Sequence, residues 1–141
     1  MQLSLSDASL LKNKAYIDGK WVDADDGATF DITNPASGEL ITKVAKVGAA
    51  ETARAVTAAD TAMREWARKP AKARANILRK WFDLMMQHQE DLAIIMTAEQ
   101  GKVLAESRGE VAYGAAFVEW FGEQAKRIDG DVIPGPGPDK R

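Results

Sequence analysis

Cysteine is absent from this chain, and its absence removes three kinds of chemistry together. There is no disulfide framework, no zinc–thiolate centre and no thiol nucleophile. Histidine occurs once, at His88, so neither a His-Glu-x-x-His pair nor a Ser-His-Asp order is present. Glycine-rich phosphate loops are missing too: no Gly-x-Gly-x-x-Gly and no P-loop pattern occurs. No apolar run approaches the roughly 18 residues that a membrane span needs. Met1 to Leu11 lacks the basic start and sustained apolar core of a signal peptide. Nor does charge of one sign dominate. Lys and Arg number 19 against 21 Asp and Glu, a net charge of −2, too mild a field to draw in nucleic acid or an anionic membrane. The expected partners therefore include no nucleic acid and no membrane, and the composition fits a cytoplasmic protein.

What is present suits one domain. At 141 residues, 45% hydrophobic and 28% charged, a chain buries about 68% of its unfolded surface. Residues 14–22 read as a hairpin: Tyr16-Ile17 and Trp21-Val22 flank Asp18-Gly19, which supplies the positive φ angles of a tight primed turn. A second strand pair follows, Thr29 to Thr33 and Leu40 to Val44. Its link, Asn34-Pro35-Ala36-Ser37-Gly38-Glu39, has a proline and a glycine at turn positions. After Gly48 the periodicity becomes helical, with Ala53, Val56, Ala59, Met63 and Trp66 on one face and Pro70 as the break. A longer helix is expected from about Lys72 to Gln100, with Gly101 as its C-cap. A third is expected from about Val103 to Ile128. That third helix has two apolar faces, Val111, Ala115, Val118 and Ala125 on one and Tyr113, Phe117 and Trp120 on the other, with Phe121 between. Two neighbouring helices do not cover both, so something outside these residues is expected to. The tail from Asp131 to Arg141 alternates Pro134, Pro136 and Pro138 with glycines, which suits an edge strand or a linker.

Four features invite a chemical reading. Glu99 sits at the C-terminal end of a helix, where the dipole opposes a negative charge; a bound cation would relieve the conflict, and a solvated carboxylate beside Lys102 is the plainer alternative. His88 falls on the apolar stripe between Leu84/Met85 and Leu92 and reads as a packing or interface histidine. Tyr113, Phe117 and Trp120, at i, i+4 and i+7, read either as core aromatics or as the wall of a cavity. The basic cluster from Arg64 to Lys80 spans the break at Pro70 and lies on the polar faces of two helices, so it reads as solvated surface. No residue is singled out as catalytic or as a cofactor ligand.

The ordered set of motifs carries more than any one of them. Ala15-Tyr16-Ile17-Asp18-Gly19-Lys20-Trp21-Val22, then Asn34-Pro35-Ala36-Ser37-Gly38-Glu39, then Trp66, Arg74-x-x-Ile77-Leu78-Arg79, Glu99-Gln100-Gly101-Lys102 and Glu119-Trp120-Phe121 through Pro134 resemble the N-terminal part of NAD(P)-dependent aldehyde dehydrogenases. The Glu119–Arg127 block and the closing Pro136 to Arg141 look most like the bacterial succinate-semialdehyde type, with the glutarate-semialdehyde type as a near alternative. The resemblance implies an α/β fold in which this segment is a β-hairpin and strand pair, three α-helices and the start of an extended arm. It implies that residues 1–131 belong to the cofactor-binding domain and residues 132–141 begin an oligomerisation arm. NADP or NAD would serve the longer enzyme, with none expected on this chain alone, and the enzyme would be a homo-oligomer, a dimer or a tetramer. The substrate would be a small aldehyde handled through domains beyond Arg141. A family cysteine attacks that aldehyde, hydride passes to the nicotinamide, and a glutamate-activated water hydrolyses the thioester. Without a cysteine this chain alone is expected to be inactive and to serve as scaffold. The resemblance also implies that Glu99 and the main chain at Ile32 or Thr33 hold a monovalent cation, Na+ or K+, and that Tyr113, Phe117 and Trp120 border the aldehyde entrance tunnel. A reading of another class is a free-standing helical binding module that uses the aromatic face.

Overall fold

A computed structural model describes residues 1–131, 133, 134, 136 and 137. Two antiparallel hairpins precede four helices, a mixed α/β arrangement in which the strands form two separate two-stranded sheets. Strands β1 (Ala15–Ile17) and β2 (Lys20–Val22) pair Tyr16 with Trp21 across the ladder, and these rings lie 5.1 Å apart. Their turn is the expected one, with φ of 50° at Asp18 and 75° at Gly19. Strands β3 (Thr29–Thr33) and β4 (Leu40–Ala45) pair with an irregularity between Ile32 and Thr33. In their link the Asn34 side chain accepts from the backbone N–H of Ala36 and of Ser37 at 2.8 and 3.2 Å, closing an Asx-type turn.

Helix α1 (Ala49–Arg68) starts at Gly48. Glu51, three residues on, reaches back to accept the Gly48 N–H at 3.0 Å and also takes the Asp25 N–H at 2.9 Å. Arg54 then clasps Asp25 through both nitrogens, at 2.8 and 2.6 Å, so the chain after β2 is pinned to the first turns of α1. The helix stops at Lys69, whose extended backbone is what a residue before proline adopts.

The expected helix over 72–100 is two helices, α2 (Ala71–Gln87) and α3 (Gln89–Gln100), jointed at His88. No proline or glycine marks the joint. The residues just past it are held by distant partners instead: Glu90 by Arg108, at 2.6 and 2.7 Å, and Asp91 by the Ser6 and Asp7 amides. Acidic side chains in the first turn of α3 also suit its dipole. Gly101 ends α3 in the left-handed conformation, as expected. Helix α4 (Leu104–Gln124) lies against both α2 and α3 and stops four residues before the expected Ile128.

Small side chains make the helical core. Ala75, Ala93, Ala98, Ser107, Val111 and Ala115 are buried. Gly122 brings α4 so close to α2 that an added Cβ would lie 3.2 Å from Leu78 Cβ. Large side chains point the other way: Val56 and Met63 on α1, and Ile77, Trp81 and Leu84 on α2, are exposed. The apolar α1 face read from the sequence is thus largely uncovered by this chain. Of the tail, Asp131, Ile133 and Pro134 lie outside regular structure and Pro136-Gly137 form a bend. The rest of the 132–141 arm lies outside the described residues.

Candidate functional site

The outer face of α4 is the most distinctive surface. Its inner face buries Val111 and Ala115 against α2 and α3, and the 100° step of the helix therefore turns Tyr113, Phe117, Trp120 and Phe121 outward. They are 67%, 48%, 57% and 60% exposed. Tyr113 and Phe117 meet edge to face with centroids 4.9 Å apart, a favoured aromatic geometry. With Ala116 the four rings line an open concavity of about 370 Å³. These aromatics are thus not core of this chain. They form an apolar wall with no titratable group among them but the Tyr113 hydroxyl.

The second candidate lies at the C-terminal end of α3. Glu99 is exposed and lines an open concavity with Glu110, Met85 and Val111. Lys102 does not neutralise Glu99; it pairs with Glu110. Two residues past Glu99, the Gly101 position lies 2.9 Å from Pro35 Cγ, measured to an ideal Cβ. The end of α3 therefore abuts the Asn34-Pro35 turn, and the ladder irregularity at Ile32/Thr33 sits just before that turn. The concavity that Glu99 itself lines is formed by α2, α3 and α4 and includes neither Ile32 nor Thr33. Among the described residues no group of three or more His, Asp or Glu converges as a metal site.

The other sequence candidates are absorbed by structure. His88 is half-buried at the α2–α3 joint. In the basic cluster, Arg79 reaches Asp83 at 3.1 Å and Glu119 at 2.8 Å, Arg64 reaches Asp60 at 3.4 Å, and Arg74 donates to the Ala67 carbonyl at 3.3 Å. Two buried carboxylates were not singled out by the sequence, Glu51 and Asp91. The Asp25, Glu51 and Gly48 amides hold the Glu51 carboxyl below its ordinary range, and Arg54 does the same for Asp25. Arg108 likewise lowers Glu90. A Gly-x-x-Glu start at Gly48 is the local signal that marks Glu51; Asp91 has none, because its partners lie more than 80 residues away.

No parallel β-α-β unit or glycine-rich turn occurs among the described residues, so they supply no cradle for a dinucleotide pyrophosphate. None of the described helices is long and apolar enough to cross a membrane.

Comparison with known proteins agrees with the fold. Residues 21–141 match the model of the aldehyde dehydrogenase family. A glutarate-semialdehyde dehydrogenase of Pseudomonas aeruginosa is 60% identical over 99% of this chain and 29% of its own length. An NADP-dependent succinate-semialdehyde dehydrogenase of Escherichia coli is 52% identical over the same shares. The solved aldehyde dehydrogenase of Brucella melitensis biovar abortus superposes with a TM-score of 0.93 at 52% identity, over 97% of this chain and 28% of that one. The chain thus spans less than a third of the relatives it matches, corresponding to their N-terminal portion. Motif order, helical arrangement and family match agree: this chain belongs to the aldehyde dehydrogenase family.

Proposed function

We propose that these residues are the N-terminal scaffold of an NAD(P)-dependent dehydrogenase that oxidises a short dicarboxylic semialdehyde, succinate or glutarate semialdehyde, to the acid. The observation that carries this reading is the outward aromatic face of α4. Tyr113, Phe117, Trp120 and Phe121 form an apolar wall that this chain leaves bare. In the enzyme, the rest of the polypeptide closes over that wall, and Tyr113, Phe117 and Trp120 border the path of the aldehyde. The thiol nucleophile and the contacts to NADP or NAD belong to the remaining part, since this chain has no cysteine and its described residues offer no dinucleotide cradle. Residues 1–131 are the N-terminal part of the cofactor-binding domain, and residues 132–141 open the arm through which a cytoplasmic homo-oligomer, a dimer or a tetramer, assembles.

Glu99 has a second role in this reading. With main-chain oxygens at Ile32 or Thr33 it holds Na+ or K+ at the corner formed by Pro35 and the end of α3. Support comes from the adjacency of Gly101 to Pro35 and from the engagement of Lys102 with Glu110, which leaves Glu99 without a lysine partner among the described residues.

Kinetics of the longer enzyme test both parts. Phe117→Ala and Trp120→Ala are expected to raise KM for the semialdehyde about tenfold at unchanged KM for the nucleotide, the size of a lost apolar contact of about 1–2 kcal/mol. Glu99→Gln is expected to abolish stabilisation by added K+ or Na+. Equal effects on both substrates would remove the wall, and cation dependence kept in Glu99→Gln would remove the ion site.

A further inference from the structure

The first seven residues are tied down at both ends. At one end the Met1 nitrogen donates to the Leu40 carbonyl at 2.5 Å, and Asn34 Nδ2 lies 3.6 Å from Met1 Sδ. At the other end two consecutive amides, Ser6 N–H and Asp7 N–H, donate to the two carboxylate oxygens of Asp91 at 2.9 and 2.8 Å. Asp91 is only 4% exposed. Between the anchors burial alternates, with Leu3 and Leu5 half-buried and Ser4 and Ser6 exposed. That period of two is the mark of an extended segment with one face down. Asp7 then ends the run by accepting the Ser9 N–H at 2.9 Å, which caps the short 3₁₀ turn Ala8–Leu10.

The two anchors sit at opposite ends of one helix. Asp91 is in the first turn of α3, while the Asn34–Leu40 link carries Pro35, which abuts Gly101 at the far end. Six extended steps reach at most about 20 Å, and ten helical residues span about 15 Å, so one short segment can serve both ends. We propose that residues 1–7 are a strap laid antiparallel along α3 and latched by Asp91, a positioning residue that keeps the Asn34-Pro35 turn seated on the end of α3. A carboxylate suits the latch because it accepts at both oxygens and carries no donor to oppose either amide. Its charge also suits the N-terminal end of the α3 dipole. Asparagine in its place turns one acceptor into a donor facing an N–H. This inference stands apart from the substrate and cation readings, because it needs neither ligand.

Hydrogen–deuterium exchange on the intact protein tests it. In Asp91→Asn the Ser6 and Asp7 amides, the two that donate to this carboxylate, should exchange about tenfold faster or more, and those around Asn34 should follow, while α4 stays protected. Unchanged protection of the Ser6 and Asp7 amides, or their exchange at the free-chain rate in the unmodified protein, would overturn the latch. Should Asp91→Asn unfold the whole molecule, Ser6→Pro decides the matter, since it deletes one donor and leaves α3 untouched. Faster exchange of the Asp7 amide and of those around Asn34 in Ser6→Pro supports the strap, and retained protection at both overturns it.

Discussion

Gly122 shows how one missing methyl group sets a helix spacing. Alanine there would gain about 1 kcal/mol of helix propensity. Its Cβ would stand 3.2 Å from Leu78 Cβ and 3.6 Å from the Ala75 carbonyl, both fixed to the α2 backbone. Overpacking of that kind costs about 1–3 kcal/mol, so Gly122→Ala should lower stability in denaturant unfolding, and a gain would contradict the close α2–α4 approach. Sequence alone does not separate Gly122 from Gly109 or Gly114, because the neighbour that matters arrives from α2. Gly101 was legible, since a glycine closing a long apolar periodicity has one common use. Glu51 makes a pH prediction. Its carboxyl titrates below the ordinary glutamate value of about 4.3, held down by the Asp25 and Gly48 amides. Its stabilisation is therefore complete above that ordinary value and lost as pH falls through the lowered folded one. Glu51→Gln should melt below the unmodified protein at pH 6–7, with the gap closing below about pH 4. A gap that persists in acid would mean the cap does not depend on charge.

Between elements, polar pairing decides where α3 meets α4. Ser107 is fully buried, and its hydroxyl lies 2.8 Å from Thr97 Oγ1. Thr97→Val should cost about 1–3 kcal/mol by stranding that hydroxyl, whereas Thr97→Val with Ser107→Ala should recover most of the loss. A double-mutant cycle in which the two losses simply add would show no coupling between the helices at this point. Both hairpins and the ends of α1 at Gly48 and Pro70 were legible, because turn chemistry and proline act locally. The joint at His88 was not. Leu84, Met85, Leu92, Ile95 and Met96 keep a helical period across it, and the groups that hold Glu90 and Asp91 lie on α4 and in residues 6–7. The proposed cation corner rests on family resemblance; no spacing in the sequence links Glu99 to Ile32 and Thr33 across more than 60 residues.

At the scale of the molecule, the distribution of side-chain size is inverted. Alanine, serine and glycine fill the helical contacts, while Trp81, Tyr113, Phe117, Trp120 and Phe121 face outward. Burying one such large apolar side chain is worth about 1.5–3 kcal/mol, so a bare face of this kind is a strong drive to association. The two-faced character of α4 was readable from residue order. Which face this chain would bury was not, because that follows from the small residues α2 and α3 present to it. The central claim is that the aromatic face of α4 is built to be covered by the rest of an aldehyde dehydrogenase. Sedimentation of the 141-residue chain alone, with a hydrophobic dye in the same cell, tests it most directly. The account predicts self-association and dye binding, both reduced by Phe117→Ser with Trp120→Ser. A monomer with a cooperative melt and no dye binding would contradict it and would favour a free-standing module.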